Sequence, residues 1–332
     1  MKVITHPGFE GIGAAAWSRL HARSRLRSPF LTWAWQTEWV RAFAPGRPLE
    51  IWRIEDSDGL VAVLPLGERA PGIRQLVGGA DISDYLDLLA VAGREEEAWT
   101  ALLSARGAAS ATWELHAVPA ASPTVAVLPT LATAFGLQAT AAVEERCPVL
   151  TLPNSWEAYL EALTSKQRHE LTRKIRRLSR EAPDARVTVA ATWVEIEPRL
   201  GDFLDLHRRA RTGKSRFMDA RMEAFFRRVM AMLADLGLVR LWLLDSAVGP
   251  LATFLILEWD GTVGVYNSGF HPEWASLAPG LVLLGHILRD AIDRGKRRLD
   301  FLRGEERYKY DFGPTPEDVY NVTIAPAGAL RA

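Results

Sequence analysis

Thr262-Val-Gly-Val-Tyr-Asn-Ser-Gly-Phe270 begins the stretch that decides the fold of this chain. It is followed by Pro279-Gly280, by the apolar segment Leu281–Arg294 and by Arg298-Leu-Asp-Phe-Leu302. The composition of these segments predicts a strand, a helix and a second strand, which together form one βαβ unit. Ligands of such units bind at the carboxyl ends of the strands. The polar cluster Arg303–Gly313 comes directly after that end, so we expect an active site there.

The overall composition is that of an ordinary globular protein. Apolar residues make up 48% and charged residues 24% of the 332 positions, a length that suits two domains. Lys+Arg and Asp+Glu are both 40, so the chain has no net charge, which argues against a dedicated nucleic-acid binder. Cys147 is the only cysteine, which excludes a disulfide framework and a cysteine metal site. Because the sequence has neither a signal-peptide pattern nor a long apolar run, we expect a cytoplasmic protein without a transmembrane segment.

The rest of the chain combines helices with antiparallel strand pairs. Helical periodicity predicts helices over 12–22, 35–43, 94–106, 123–135, 156–163, 165–182, 197–211 and 221–236. Alternating or β-branched runs predict strands over 49–55, 60–66, 74–77, 85–90, 112–118, 143–152, 186–191, 238–245, 251–259 and 318–324. This order predicts an α+β class, in which mixed, mostly antiparallel sheets are flanked by helices. Pro153-Asn154-Ser155 interrupts the pattern, so we divide the chain into domains 1–152 and 153–332.

The common catalytic signatures are missing from the sequence. It contains no Walker loop, no Gly-x-Gly-x-x-Gly between a strand and a helix, no His-Glu-x-x-His and no Gly-x-Ser-x-Gly. The seven histidines are scattered without the spacing of metal ligands. We therefore expect neither a nucleotide hydrolase nor a zinc enzyme, and no bound metal.

Several features carry candidate chemistry, and each also has a plainer explanation. Ala278-Pro-Gly-Leu281 opens a helix whose first N–H groups suit an anion such as a pyrophosphate, although Pro-Gly before a helix is also ordinary loop chemistry. The segment Asp300–Asp311 combines acids, bases and phenols, and is either a site or a salt-bridged loop. The basic stripe over 166–180 is either a solvated helix face or an anion-binding surface. His207 shares a helix face with apolar residues, which favours a core histidine over a catalytic one.

The order of these parts resembles the acetyl-CoA-binding core of the GNAT acyltransferases. More narrowly, the chain is similar to the two-domain GNAT proteins of the CelD type, which are linked to bacterial polysaccharide and cellulose biosynthesis and are related to the Fem peptidyl transferases. The matching pieces are Trp39 with the 49–66 hairpin, Ser83-Asp-Tyr85, the arginine-rich segment 166–180, Leu206-His-Arg-Arg209, Ser276–Gly280 and, most specifically, Asp300-Phe-Leu-Arg-Gly-Glu-Glu-Arg-Tyr-Lys309.

The resemblance implies two tandem GNAT-like domains, a degenerate one over 1–152 and an acyltransferase over 153–332. In GNAT folds two central strands splay apart, acyl-CoA lies between them, and its pyrophosphate sits at the helix start. The resemblance assigns acyl-CoA binding to Tyr266, Ser268, Ala278, Gly280 and Leu281, and acceptor binding to His207, Arg209, Arg303 and Arg173. Trp274–Gly280 departs from the usual phosphate loop, so the donor is either acyl-CoA or, as in Fem relatives, aminoacyl-tRNA.

The activity expected from the resemblance is transfer of an acyl group, acetyl in the first instance, from acyl-CoA to an amine or hydroxyl of a small molecule or saccharide. The acceptor attacks the thioester directly while Glu305 or Asp300 takes its proton. Tyr308, assisted by the charge of Lys309, protonates the departing sulfur. The alternatives are a Fem-like aminoacyl-tRNA-dependent transferase, with the 166–180 stripe on RNA phosphates, and a non-catalytic GNAT scaffold in polysaccharide biosynthesis.

Overall fold

The computed structural model describes residues 1–79, 81–105, 111–210 and 218–326. The chain falls into two compact units. One unit consists of Met1–Arg146 with the chain from Glu317 onward, and the other consists of Cys147–Pro316. The domain boundary predicted from the sequence lies between residues 152 and 153, whereas the two units divide between residues 146 and 147. From Glu317 onward, the final strand belongs to the N-terminal unit.

The N-terminal unit is built on a mixed sheet. Its elements are β1 (Lys2–His6), α1 (Ala14–Arg23), α2 (Trp33–Phe43), β2 (Leu49–Asp56), β3 (Gly59–Ala70), β4 (Ile73–Leu76), β5 (Leu89–Ala90), α3 (Glu95–Ala105), β6 (Thr112–Pro119), α4 (Pro123–Leu131), the first part of β7 (Leu137–Thr151), and β13 (Thr315–Pro326). The strand order is β1-β2-β3-β4-β6-β13-β7, with β5 on β3. β4 and β6 are parallel, while β2 is antiparallel to both β1 and β3. Its largest core side chains are the fully buried Trp17, Trp35, Trp99 and Trp113.

The strands of the C-terminal unit are also arranged as mixed β-structure. Its elements are α5 (Trp156–Ala162), α6 (Ser165–Glu181), β8 (Arg186–Ala190), α7 (Trp193–Ile196), α8 (Leu200–Ala210), α9 (Ala220–Asp235), β9 (Val239–Ser246), β10 (Gly249–Trp259), β11 (Thr262–Phe270), α10 (Pro279–Asp293), β12 (Arg298–Asp300) and α11 (Arg307–Tyr310). From the end of β7 the order is β7-β12-β11-β10-β9-β8. Only β11 and β12 are parallel among these pairs, whose registers are all described. The predicted α+β class, with mixed, mostly antiparallel sheets flanked by helices, is confirmed.

The helix α10 positions the site because its apolar side is buried along its whole length. Leu283, Ile287 and Ala291 are each at most 1% exposed and belong to the same core as Phe254 of β10. Burial of a Leu or Ile side chain stabilises by about 1.5–3 kcal/mol, so the position of this helix on the sheet is strongly determined. The packing of α10 therefore also fixes the position of its first turn, which follows the carboxyl end of β11 in the chain.

One predicted strand is mostly absent. Of the predicted segment 85–90, only Leu89–Ala90 is a strand. Ser28 Oγ donates to the carbonyl of Tyr85 at 3.2 Å, and Asp87 Oδ1 accepts from the N–H of Leu88 at 2.8 Å. Side chains thus satisfy backbone groups that a neighbouring strand would otherwise bond.

Several predicted helix ends are also corrected. Thr164, not Ser165, caps α6, because Thr164 and Gln167 form a reciprocal capping box. The helix predicted from residue 197 begins as a 3₁₀ turn over Glu197–Arg199, and α8 proper starts at Leu200. Arg106 and Arg211, which the predicted helices included, lie outside the described residues.

Cys147 is a buried free thiol. Among the described residues, no helix is both long enough and apolar enough to cross a membrane. The same part of the chain holds no group of three or more His, Cys, Asp or Glu side chains that could bind a metal ion.

Candidate active site

The parallel pair at the centre of the C-terminal unit is short. Thr262–Gly264 of β11 align with Arg298–Asp300 of β12, after which β12 ends while β11 continues to Phe270. The predicted strand 298–302 is therefore two residues too long. The physical reason is Leu302, which has a left-handed backbone (φ +55°) that no strand residue can adopt. Its N–H donates to Asp300 Oδ1 at 2.8 Å, which closes a turn directly after β12.

Lys309 organises the loop that follows this turn. Its ammonium group donates to the carbonyls of Arg303 and Gly304 at 2.9 and 2.8 Å, and lies 3.4 Å from the carbonyl of Leu302. It also forms an ion pair with Glu306 at 2.9 Å, although the residue is only 4% exposed. A buried ammonium group needs such partners, because removal from water is costly for a charge. Lys309 therefore fixes the backbone of the loop.

The two tyrosines of α11 have different surroundings. Tyr308 is half-buried and packs against the apolar core of the unit. Tyr310 Oη donates to Glu305 Oε1 at 2.8 Å. The Tyr310 carbonyl accepts from Nε2 of Gln167 in α6 at 2.9 Å. The bond between Tyr310 and Glu305 stabilises the loop, and the Tyr310 carbonyl connects it to α6. The Tyr308 side chain instead borders a cavity.

The start of α10 forms the opposite side of that cavity. Ala278 precedes the helix in the left-handed conformation (φ 51°, ψ 47°), and the helix begins at Pro279, two residues before the predicted start. In the part of the chain that the structure describes, no side chain caps the first turn, so its first N–H groups have no intrahelical or side-chain acceptor. A Cβ placed on Gly280 would meet nothing within 4 Å among the described residues. Packing therefore does not require glycine there, and the space beside it is open.

These two sides enclose a pocket of about 280 Å³. Its lining is mostly apolar with a few polar groups, which is the usual character of a small-molecule site. The lining residues are Ala210, Phe254, Ser268, Phe270, Ala275, Ala278, Pro279, Gly280, Leu281, Glu306 and Tyr308. We call it the Tyr308 pocket. It brings together five residues that the resemblance assigns to the site: Ser268, Ala278, Gly280, Leu281 and Tyr308.

The floor of the Tyr308 pocket is one face of the sheet. Ser268 of β11 lies opposite Phe254 of β10, and Phe270 is two residues farther along the same face. The β10–β11 register shifts between Leu255 and Ile256, so one extra β11 residue, Tyr266, is accommodated in a bulge. Bulges bend a strand and re-aim its side chains, and they are common beside active sites.

Residues 165–310 match the family model described as acetyltransferase (GNAT) domain. This GNAT-matching region contains both sides of the Tyr308 pocket. Among solved structures, the crystal structure of FemX is 12% identical with a TM-score of 0.66, and the match covers 98% of this chain and 97% of that one. A conserved protein of unknown function from Bacteroides thetaiotaomicron is 12% identical, with a TM-score of 0.62 and coverage of 98% and 100%. L-PGS from Bacillus licheniformis is 10% identical, with a TM-score of 0.58 and coverage of 96% and 94%.

At such identities these likenesses establish the fold alone, which this chain shares with FemX over nearly its full length. Among curated proteins, none matches the chain.

Other predicted site residues in the GNAT-matching region lie outside the lining of the pocket. His207 is 1% exposed, and its Nε2 is 3.2 Å from Asn267 Oδ1, so its described contacts are those of the α8–β11 packing. Tyr266 packs against Phe226 with ring centroids 6.0 Å apart. Arg209 pairs with Asp205 at 2.9 Å, and Arg173 pairs with Glu170 at 2.8 Å.

The remaining predicted site residues, Asp300, Arg303 and Glu305, form bonds within the loop that follows β12. Asp300 is 2% exposed and accepts from Leu302, while the Arg303 carbonyl accepts from Lys309. Glu305 is exposed and bonded to Tyr310. Their described bonds hold the turn together, and none of the three belongs to the pocket lining described above.

Sequence reasoning missed several lining residues. Glu306 is the carboxylate of the lining, whereas the sequence offers its neighbour Glu305 and Asp300 as candidates for the base. Phe254 and Phe270 were treated only as strand residues. The signal for them was available: Phe270 lies two positions from Ser268, and the hairpin register places Phe254 across from Ser268. Ala210 and Ala275 carried no signal, because an alanine lining a pocket looks like any other alanine.

Proposed function

We propose that this chain is an acyltransferase that moves an acyl group, acetyl in the first instance, from acyl-CoA to an amine or hydroxyl of a small molecule or saccharide. The observation that carries the proposal is the Tyr308 pocket, which Tyr308 and the first turn of α10 line together within a GNAT-matching region. A link to polysaccharide biosynthesis, as in CelD-type proteins, belongs to the same proposal.

Donor binding would use the start of α10. The first N–H groups of a helix and its dipole favour an anion, so the pyrophosphate of CoA would bind near Ala278–Leu281. Gly280 leaves room for a phosphate to approach the backbone. The pantetheine arm would then follow the apolar floor past Phe270 and Phe254, with Ser268 as a polar contact.

The reaction would be a direct attack on the thioester. The nitrogen or oxygen of the acceptor forms a bond to the carbonyl carbon, and the bond from that carbon to sulfur breaks. Backbone N–H groups at the β11 bulge around Tyr266 would stabilise the charge that develops on the carbonyl oxygen. Tyr308 would give its proton to the departing thiolate, since its side chain borders the pocket.

The proton of the acceptor must go to a base. Glu305 and Asp300 remain candidates, and the pocket lining adds Glu306. Glu306 has the better position for direct contact, whereas Asp300 is 2% exposed and would act through the turn that it closes. Lys309 is bound to three carbonyls and to Glu306, so we assign it the role of holding the loop that carries Tyr308.

A Fem-like aminoacyl-tRNA-dependent transferase is the second candidate. The FemX-like fold and the basic stripe of α6 favour it. Three arginines of the stripe already pair with Glu170 or Glu181, which reduces the charge left for RNA phosphates. If this candidate is correct, charged tRNA binds with an affinity that falls steeply with salt, and acyl-CoA does not stabilise the protein.

The deciding experiment is a thermal-shift and transfer assay with acetyl-CoA, longer acyl-CoAs and free CoA. A ligand at 100 times its Kd adds about 2.7 kcal/mol to the stability, which is readily measured. Stabilisation by acyl-CoA together with acyl transfer supports the proposal. Stabilisation without transfer to any amine or hydroxyl acceptor would favour the non-catalytic scaffold, and no stabilisation by any acyl-CoA would contradict the proposal.

A further inference from the structure

A second cavity shares Leu281 with the Tyr308 pocket. Its volume is about 460 Å³. One wall is the side of α6 that carries Lys166 and Lys174, and the other contains Asp311 and Phe312. We call it the lysine pocket. Cavities of this size accommodate ligands as large as a nucleotide.

The charges of the lysine pocket favour an anion. Within the described residues, neither Lys166 nor Lys174 has a carboxylate within ion-pairing distance of 4.0 Å. Glu170 also lines the cavity and is paired with Arg173 at 2.8 Å. The Arg173 guanidinium, with smaller contributions from Lys174 and His169, holds the pKa of Glu170 below its usual value. Among the described residues, the lining thus holds two ammonium groups without an ion-pair partner and one carboxylate, Asp311, that has no Lys or Arg within 4.0 Å.

The spacing of the two lysines suits more than one phosphate. Eight residues separate Lys166 from Lys174, which corresponds to about 12 Å along a helix axis. The two lysine side chains can reach toward each other over part of this distance. A single phosphate in contact with both ammonium groups would, however, restrict both side chains to few conformations, which costs conformational entropy. A ligand with phosphate groups at two places on one nucleoside matches the spacing better.

The remaining lining suits a nucleoside. Leu171 and Phe312 are 6% and 2% exposed and give the cavity an apolar base against which a purine ring can pack. Asp311 offers an acceptor to an exocyclic amine or a ribose hydroxyl. A simple inorganic anion would use the lysines and leave these other groups without a function.

We propose that the lysine pocket binds the phosphorylated adenosine end of acyl-CoA, with Lys166 and Lys174 as donor-specificity residues, while the acyl end lies in the Tyr308 pocket. This inference rests on the proposed function, because it assigns the far end of the same donor. Under this proposal, the basic side of α6 contributes to donor specificity and is not only a solvated surface.

The test is a binding cycle between protein and ligand. Dissociation constants are measured by calorimetry for acetyl-CoA, 3′-dephospho-acetyl-CoA and adenosine 3′,5′-bisphosphate. The proteins are the wild type, the double variant Lys166→Gln/Lys174→Gln, and the control Arg176→Gln, which removes a charge from the same helix outside the lining. Glutamine has a helix propensity close to that of lysine and arginine, so α6 should form in all of them, and unchanged thermal stability confirms it.

We expect the wild type to bind acetyl-CoA about tenfold more tightly than its 3′-dephospho form, and the double variant to bind both with similar weak affinity. The bisphosphate should bind the wild type and Arg176→Gln, and should be about tenfold weaker on the double variant. Equal discrimination by wild type and double variant would overturn the inference, as would an oligonucleotide ending in CCA that binds where the bisphosphate does not.

The two proposals fail differently. If the bisphosphate binds through the lysines but no acyl group is ever transferred, the inference stands and the proposed function fails. If acyl transfer occurs with acetyl-CoA and with its 3′-dephospho form at equal kcat/KM in wild type and double variant, the proposed function stands and the inference is wrong.

Discussion

The loop Leu302–Gly313 and the helix start Ala278–Leu281 line the same pocket but are held in place by different means. In the loop, side chains bond to the backbone and to each other: Lys309 binds the carbonyls of Leu302, Arg303 and Gly304, and Tyr310 binds Glu305. At the helix start no side chain caps the first turn, and a Cβ on Gly280 would meet nothing within 4 Å among the described residues.

Because of this difference, substitutions in the two segments should affect protein stability and ligand binding to different extents. A change in the loop can remove bonds on which the loop backbone depends, so its effect on activity is mixed with an effect on folding. A change at Gly280 breaks no side-chain bond that holds the helix start, so it acts mainly on the space beside the helix. Both segments nevertheless begin at a left-handed residue other than glycine, Leu302 in one and Ala278 in the other. Such residues are retained only where the surrounding structure determines the backbone strongly.

The largest expected effect is that of Tyr308→Phe. Loss of the phenolic proton should lower kcat by about 10²-fold or more, because the thiolate then leaves without an acid. The fold should be retained, since the ring and its packing against the core are kept. The matched control is Tyr310→Phe, whose hydroxyl bonds to Glu305 outside the pocket lining. Wild-type turnover by Tyr308→Phe would remove it from the mechanism.

The next effect concerns the base and compares two adjacent glutamates. If the carboxylate that lines the pocket takes the proton, Glu306→Gln lowers kcat by about 10²-fold and flattens the acidic side of the kcat/KM profile. Glu305→Gln should then change kcat only slightly, because Glu305 bonds to Tyr310. The reverse result would return the role to Glu305, as the sequence alone suggested. Full activity in both variants would exclude both as the base.

A smaller effect, on stability, is expected for Lys309→Met. The variant leaves three carbonyls without their ammonium donor, and we expect the free energy of unfolding to fall by about 2–3 kcal/mol. The control Arg307→Met removes the same charge from an exposed position of α11 and should change stability by less than about 0.5 kcal/mol. Urea unfolding measures both. Equal stability of the two variants would mean that Lys309 does not organise the loop.

The arrangement of strands and helices around the pocket could be predicted because it follows from local signals. Periodicity and turn residues place β10, β11 and α10 correctly to within about two residues. The end of β12 could not be predicted, because Leu302 continues the apolar run of the strand in sequence, whereas its backbone is left-handed and bonds to Asp300 and Lys309. The different positions of Glu305 and Glu306 could not be predicted either. Glu306 lines the pocket while its neighbour Glu305 bonds to Tyr310, and the order of residues in the sequence does not distinguish them.

The sequence pattern also draws attention to Pro279-Gly280, and both residues line the Tyr308 pocket. Glycine before or within a helix start is ordinary, and among the described residues no packing contact requires glycine at position 280. Gly269 illustrates the opposite case. Its sequence context is equally ordinary, yet a Cβ there would lie 2.4 Å from the backbone nitrogen of His207, so glycine permits α8 to pack on β11.

The smallest expected effect separates these two glycines and tests the helix start itself. Gly280→Ala should leave stability unchanged or raise it by about 0.5–1 kcal/mol, because alanine favours the helix and the added methyl group has space. The same methyl group narrows the approach of a phosphate to the first turn, so we expect the Kd of acetyl-CoA to rise about tenfold. Gly269→Ala should instead lower the stability, because its methyl group meets backbone that cannot move freely. If Gly280→Ala binds acetyl-CoA as tightly as the wild type, the donor phosphates do not contact this turn, and the open space beside Gly280 serves another part of the ligand.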